Sequence, residues 1–184
     1  YVLALCNSFN SLKLETHFYK QLLAQHACGI VQIGGSLDRQ MIPPQLYSQI
    51  KSTAEKIPVI TSVPVKNTDC RCIYVDNTRS MRTLLEYLIG LGHRRIAFVG
   101  GRSDVWSTME KRRTYSEVLK ERGIAHEIIC EGSYGKEDGY FAVKSLLRRG
   151  EDFTAVIAIT DTCAMGVIQA LSENGLQCGK DISV

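Results

Sequence analysis

Short apolar runs alternate along the chain with longer segments in which apolar residues recur every three or four positions. The runs are bounded by glycine, proline or polar residues, which is typical of buried strands. They predict strands at residues 2–6, 29–33, 57–61, 73–75, 95–99, 127–130 and 154–159. The longer segments predict helices near residues 14–22, 43–55, 77–91, 107–122, 137–149 and 162–173. This alternation predicts parallel sheets with helices on both faces.

Local signals mark the ends of two predicted helices. Pro43-Pro44 opens one helix, because proline is tolerated in a first turn. Gly92 ends the helix that begins at Asn77, because glycine readily adopts the left-handed conformation that follows a helix. The first helix is expected to face the core with one apolar stripe, formed by Leu14, Phe18 and Leu22.

Composition changes this picture little. The chain has 184 residues, of which 45% are hydrophobic and 22% charged, values that suit one globular domain or two small lobes. The formal net charge of +3 is spread along the chain, with its densest cluster at residues 111–113. Charge alone therefore does not indicate a DNA-binding surface.

Seven cysteines are scattered through apolar runs, which favours buried, reduced thiols and hence a cytoplasmic protein. Cys70 and Cys72 resemble half of a metal clip, but no second Cys or His pair follows at zinc-like spacing, so we expect no metal. The sequence has no signal peptide and no apolar run of about 18 residues, so we do not expect a membrane protein. The chain does not begin with Met, which is consistent with a missing N-terminal segment.

Ligands bind such sheets at the carboxyl ends of the strands, so residues at strand ends are the first candidates for a site. Asp161 follows the predicted strand 154–159 and is interpreted either as a helix N-cap or as a ligand-facing carboxylate. Asp76 lies at an equivalent junction. There, capping or a role at a lobe interface is the first expectation and ligand binding the second.

Two aromatic residues, Trp106 and Tyr134, fall in loops after strands. A flat ring can stack on a sugar or a base, and it can equally cover the core as a lid, so both roles stay open. His93 stands at the entry to a strand, where a hydrogen bond to a nearby backbone group is favoured over acid–base chemistry.

Lys111 opens the cationic cluster on a helix whose apolar side includes Tyr115 and Val118. These three positions share a face, so Lys111 is expected to point inward more than Arg112 and Arg113. The sequence contains no phosphate-binding glycine loop, no G-x-S-x-G and no H-E-x-x-H motif. We therefore expect neither an enzyme nor a cofactor.

One segment carries the motifs of a known family. It begins with Val75-Asp76-Asn77, continues with Leu91-Gly92-His93-Arg94 before a buried strand, and closes on Gly100-Gly101. This order resembles the lactose/galactose-repressor (LacI/GalR) family. Shorter matches follow the family's order over essentially the whole chain, at residues 1–15, 29–31, 57–60, 131–140, 160–166 and 181–184. Cys28 replaces an acid that is usual in the family, and Gly179 replaces a proline.

The resemblance implies an α/β fold of the type I periplasmic-binding-protein kind, with two similar Rossmann-like lobes built on parallel sheets. The lobes are expected at residues 1–92 and 93–184, with a small-molecule effector in the cleft between them. Family members are cytoplasmic, dimerise mainly through these lobes and bind operator DNA through an N-terminal helix-turn-helix. That domain is absent from this chain, and we expect the core to be truncated at both ends.

The resemblance also implies an effector site. Asp161 matches the family's effector-binding aspartate, and Tyr134 matches an aromatic residue that stacks on the ligand in purine-binding members. Lys111 stands where the family usually has an effector-binding arginine, although a shift of one residue would place Arg112 there. Ser107 falls near another pocket position. The candidate effector-binding residues are therefore Asp161, Tyr134, Lys111, Arg112, Ser107, Trp106 and Asp76.

The expected function is that of the ligand-sensing core of a transcription repressor, acting as a homodimer. It binds a sugar or sugar derivative, or as a second choice a purine, and couples this binding to operator DNA through the missing domain. The alternative is a sugar-binding protein of an uptake system, which shares the two-lobe fold but has an export signal and few free thiols. The seven cysteines and the Leu-Gly-His-Arg motif favour the repressor.

Overall fold

The structure, a computed structural model, describes residues 2–184, and the chain divides between Val75 and Asp76. Tyr1, with which the family resemblance and the expected first lobe begin, lies outside the described residues. The family resemblance predicts a boundary after residue 92. The division falls earlier because the helix that begins at Asn77 packs on a helix of the second unit.

The first unit contains α1 (Leu12–Ala24), β1 (Ile30–Gln32), a 3₁₀ turn (Gly35–Asp38), α2 (Pro44–Ala54), β2 (Val59–Thr61) and β3 (Arg71–Cys72). Its described strands form a parallel sheet in the order β1-β2-β3. Ile30 pairs with Val59, and Thr61 pairs with Cys72. Pro44 occupies the first position of α2, as the sequence predicts.

Helices α1 and α2 pack on one face of this sheet. The buried core comprises Tyr19, Ile30, Leu37, Leu46, Ile50, Val59 and Val65. Val31 follows Ile30 in β1, so it points to the opposite face, where it is 65% exposed. Within residues 2–75, the prediction of helices on both faces is therefore wrong for this sheet, because both helices lie on the Ile30 side.

The second unit contains α3 (Asn77–Gly90), β4 (Ile96–Val99), α4 (Trp106–Glu121), β5 (Ile128–Cys130), α5 (Lys136–Arg148), β6 (Ala155–Ala158) and α6 (Asp161–Glu173). Its strands are parallel and run in the order β5-β4-β6. Helix α3 packs on α4, and α5 packs on α6. Right-handed connections place these two pairs on opposite faces, and the central strand β4 is completely buried.

Glycines allow the closest helix contact of this unit to form. A Cβ atom on Gly166 of α6 would overlap the carbonyl oxygen of Lys136 in α5, and one on Gly139 would overlap that of Cys163. Gly92 follows α3 with φ +96°, so the predicted helix end is confirmed. No helix within residues 2–184 is long and apolar enough to span a bilayer.

Two predicted strands are wrong. Residues 2–6 belong to no helix or strand, and Val2 and Leu5 are 97% and 89% exposed, because no described strand hydrogen-bonds to this segment. The strand predicted at residues 73–75 lies at Arg71–Cys72 instead. It ends there because β2 ends at Thr61, whose carbonyl oxygen accepts the hydrogen bond from the Ile73 amide.

Burial corrects two further predictions. In α1, Glu15 and Tyr19 are buried, whereas Leu14 is 37% exposed, so the stripe facing the core is rotated from the predicted one. The seven cysteines are free, but of those thiols the one at position 163 is the only fully buried one in residues 2–184. Reduced thiols fit the structure, whereas general burial of the cysteines does not.

Candidate functional site

Three loops of the second unit meet at the carboxyl edge of its sheet. Gly100-Gly101 follows β4, residues 131–135 follow β5, and Thr160 follows β6 with one residue between. The three strands are parallel neighbours, so their carboxyl ends lie side by side. This arrangement brings most of the candidate residues to one edge, although they are far apart in sequence.

The turn after β4 fixes how closely these loops approach. Gly100 and Gly101 have φ values of +88° and +81°, and their amides donate to the carbonyl oxygens of Cys130 (2.8 Å) and Ser133 (2.7 Å). A Cβ atom on Gly101 would lie 2.6 Å from the Thr108 Cγ2. The turn therefore requires glycine and holds the loop after β5 against the loop after β4.

Tyr134 is tied to both neighbouring segments. Its hydroxyl lies 3.0 Å from the Thr108 Oγ1 of α4, and its carbonyl oxygen accepts a hydrogen bond of 2.9 Å from the Thr160 hydroxyl. The side chain is half-buried and packs against the core of the unit. Thr108 and Thr160 fix the position of this ring but are not among the site residues predicted from the sequence.

The start of α6 is capped by Thr160 and not by Asp161. The Thr160 hydroxyl accepts a hydrogen bond from the Cys163 amide (3.1 Å), and Asp161 occupies the first helical position. The N-cap interpretation of Asp161 is therefore wrong. Its side chain is exposed and has no hydrogen bond or ion pair with any part of the chain that the structure describes. A threonine at a strand-to-helix junction was the available sequence signal.

Arg112, rather than Lys111, reaches back from α4 to the ends of the strands. Its guanidinium donates to the Gly101 carbonyl oxygen (2.6 Å) and forms an ion pair with Glu131 in the loop after β5 (2.6 Å). The prediction that Lys111 points inward more than its neighbours is wrong, because Arg112, one position later in α4, makes the contacts with the strand ends. Lys111 is half-buried and has no ion pair among residues 2–184.

Trp106 and Ser107 form the first turn of α4 and lie at the same edge. The Trp106 side chain is 45% exposed, and Ser107 is half-buried. Below this edge, burial raises the pKa of the Cys163 thiol, which keeps it protonated near neutral pH. The structure therefore places an exposed aromatic ring beside the strand ends and no activated thiol beneath them.

Asp76 caps α3 by accepting a hydrogen bond from the Arg79 amide (2.8 Å), as its first interpretation predicted. His93 lies at the opposite, amino edge of the sheet, where its ring nitrogens contact the hydroxyls of Thr154 (2.8 Å) and Ser183 (3.1 Å). These partners are side chains and not the predicted backbone group. Within the described chain, no three His, Cys, Asp or Glu side chains converge as a metal site.

Comparison with protein families and relatives adds a second line of evidence. The family model described as periplasmic binding proteins and sugar binding domain of LacI family matches residues 2–184. Catabolite control protein A of Priestia megaterium is 27% identical over 188 residues, which cover 100% of this chain and 54% of that protein. The HTH-type transcriptional regulator AscG of Escherichia coli (strain K12) is 30% identical over 155 residues, covering 80% and 46%. The chain thus spans about half the length of the curated relatives it matches.

Solved structures agree with the fold. A sugar-binding transcriptional regulator of the LacI family from Escherichia coli, complexed with phosphate, has a TM-score of 0.81 at 25% identity and covers 99% of this chain and 64% of that chain. The lac repressor dimer bound to operator and the anti-inducer ONPF has a TM-score of 0.77 at 24% identity and covers 95% and 59%. These likenesses bear out the predicted type I periplasmic-binding-protein-like fold.

Proposed function

Because this chain belongs to the family of periplasmic binding proteins and LacI-type sugar-binding domains, we propose that it is the effector-binding part of a DNA-binding transcriptional repressor. The effector is a sugar or a sugar derivative, with a purine as the second choice. Operator DNA is bound by a helix-turn-helix domain outside these 184 residues, in a cytoplasmic homodimer. The relatives named above are transcriptional regulators and not enzymes, which supports this proposal.

The observation that carries the proposal is the convergence of different chemical groups on one rigid edge. Tyr134 and Trp106 offer aromatic rings, and Asp161 offers a carboxylate whose side chain has no partner within the described chain. A ring stacks on the C–H face of a sugar, while a carboxylate accepts hydrogen bonds from its hydroxyls. The hydrogen bonds of Tyr134 to Thr108 and Thr160, with those of the Gly100-Gly101 turn, hold the Tyr134 ring and the residue that precedes Asp161 in place.

Effector binding changes the affinity for operator DNA only if the effector binds two conformations of the protein with different affinities. The coupling free energy equals the difference in the effector's affinity for the two conformations, typically about 1–3 kcal/mol per site. In the proposed homodimer, this coupling is transmitted through the contact between the two copies of the chain. Exposed apolar side chains on adjacent helices α5 and α6 support a dimer, since such groups favour burial against a partner. They are Phe141 (64% exposed), Met165 (59%) and Ile168 (41%).

The test is calorimetric titration of the chain with glucose, galactose, glucose 6-phosphate, adenine and guanine. We expect one of the sugars to bind, and Asp161→Ala to abolish this binding while leaving the fold intact, because the Asp161 side chain has no partner within the described chain. Asp152→Ala is the matched control. Asp152 is exposed and precedes β6 instead of following it, so its loss should not affect binding. Equal affinities for wild type and Asp161→Ala would rule out this residue as an effector contact.

The family description also includes periplasmic binding proteins, so a sugar-binding protein of an uptake system is the second candidate. The codons before Tyr1 distinguish the two, because a helix-turn-helix indicates the repressor and an export signal indicates the uptake protein. A gel-shift experiment on the full protein gives a direct answer. The repressor releases or retains its operator in response to the sugar, whereas the uptake protein binds no specific DNA.

A further inference from the structure

Arg112 lies where the three segments of the proposed effector edge meet. We propose that Arg112 is a positioning residue: its guanidinium, together with Glu131, fixes the turn after β4 and the loop after β5 relative to α4. The effect of Arg112 on effector affinity rests on the proposed function, whereas its effect on the turn and the loop can be measured without a ligand.

The contacts of Arg112 join all three segments. From α4, Nη2 donates to the carbonyl oxygens of Gly101 (2.6 Å) and Gly100 (3.3 Å), and Nη1 pairs with the Glu131 carboxylate (2.6 Å). The amides of the same two glycines are bound by Cys130 and Ser133. Both sides of the turn are thus held, the amides by the last residue of β5 and the loop that follows it, and the carbonyl oxygens by Arg112.

Burial makes these contacts obligatory. The Arg112 side chain is only 13% exposed, and a charge in such a position is stable only when acceptors surround it. Its Nε is buried as well and has no hydrogen-bond partner within the described chain, so this donor does not reach solvent. The planar fork of arginine reaches the turn and Glu131 together, which the single ammonium group of lysine cannot do.

Lys111 has the opposite surroundings. It precedes Arg112 in the helix, so its side chain points about 100° away around the axis. Its side chain makes no ion pair and no hydrogen bond with the rest of the described chain, and the residue is half-buried. Protein acceptors therefore hold the Nη1 and Nη2 atoms of Arg112, whereas none within the described chain holds the Lys111 ammonium group.

The first experiment measures amide hydrogen exchange by NMR on the ligand-free chain. Arg112→Lys keeps the charge but loses the fork, so we expect the Gly101 amide to exchange about tenfold faster or more, because its turn opens more often. The Ile128 amide, which donates to the buried Tyr115 hydroxyl, reports whether the core stays folded. Arg113→Lys is the control, since Arg113 is 63% exposed and pairs along its own helix with Glu117. Unchanged Gly101 exchange in Arg112→Lys would overturn the proposal.

The second experiment asks whether Glu131→Gln lowers or raises the affinity for glucose or glucose 6-phosphate. Glu131 is 65% exposed, so Glu131→Gln is expected to fold normally. If Arg112 positions the edge, this variant binds glucose or glucose 6-phosphate about threefold to tenfold more weakly, because the charge-assisted hydrogen bond that fixes the loop is lost. If Arg112 instead contacts the effector and Glu131 competes for it, the affinity rises, and the positioning role is refuted. If neither probe binds wild type, the proposed effector class fails, and the exchange experiment alone decides the role of Arg112.

Discussion

Tyr115 shows how a single hydroxyl group joins two strands of the second unit. It donates to the Ile96 carbonyl oxygen (2.7 Å) and accepts a hydrogen bond from the Ile128 amide (3.1 Å). The ring packs against Phe98 with 5.8 Å between centroids, and the side chain is fully buried. Burial raises the pKa of Tyr115 to about 12, so the neutral phenol is a component of the core.

This raised pKa makes stability depend on alkaline pH. The unfolded chain releases the Tyr115 proton near pH 10.0, whereas the folded chain holds it to about pH 12, so the contribution is complete below pH 10 and is lost as pH rises to 12. We expect a loss of about 2–3 kcal/mol over this interval. Urea unfolding followed by the fluorescence of Trp106, the one tryptophan, measures it in the second unit.

Tyr115→Phe removes the ionisable group, so this variant should lose less stability than wild type between pH 10 and pH 12. Tyr87→Phe is the control, because the Tyr87 side chain is 64% exposed and lies outside the core. A wild-type pH dependence in Tyr115→Phe would refute the assignment.

At the scale of elements, the start of α6 depends on one side chain. Thr160 caps the helix and also holds the carbonyl oxygen of Tyr134. We expect Thr160→Ala to lower the free energy of unfolding by about 1–2 kcal/mol, because the cap and one further hydrogen bond are lost. Thr162→Ala is the matched control, since Thr162 is an exposed residue of the same first turn. Equal losses in the two variants would show that Thr160 contributes no more than its neighbour.

The contact between α5 and α6 requires a glycine, whereas the end of α3 does not. Gly166→Ala would place a methyl group on the Lys136 carbonyl oxygen, so the helices must separate, and we expect a loss of about 2–3 kcal/mol. Gly90→Ala should instead stabilise by about 0.5–1 kcal/mol, because Gly90 is helical and has no atom within 4 Å of an added Cβ. Thermal unfolding of both variants measures this opposite pair of shifts, and a shift of the same sign in both would contradict it.

Across the whole molecule, two exposed segments outside any helix or strand lie near the two ends of the first unit. Residues 73–75, where the first unit ends, are exposed and belong to no helix or strand. Phe9 is likewise 79% exposed and outside any helix or strand. Proteases cleave segments that unfold locally, so these positions are expected to be the most accessible aromatic sites.

Brief digestion with chymotrypsin should therefore cut first after Phe9 and Tyr74. Tyr87 and Phe141 are each 64% exposed but lie in α3 and α5, so they should resist cleavage. Mass spectrometry of the early fragments identifies the cuts, and Tyr74→Ser should remove the second one. Cleavage after Tyr87 as early as after Tyr74 would contradict the helical protection of α3.

The pattern of apolar residues predicted the six longer helices, most of the strands and the parallel arrangement of the sheets. Periodicity located all six longer helices because a helix that buries one face must repeat its apolar positions, and Gly92 marked the end of α3 by its left-handed conformation. The family motifs likewise indicated an effector-binding core. The strand predicted at residues 2–6 failed because a strand exists only where a neighbour accepts its hydrogen bonds, and apolar composition does not supply that neighbour.

Only the tertiary structure decided which side chains hold the candidate site together. Lys111 and Arg112 are adjacent and both cationic, so their sequence does not tell which one reaches the strand ends. The choice depends on where the Gly100-Gly101 carbonyl oxygens and Glu131 lie in space. Thr160, and not Asp161, caps α6, because the helix begins at Asp161 and the N-cap is the residue before the first helical one. Positions 100, 112, 131 and 160 come together only because parallel strands bring their carboxyl ends to one edge.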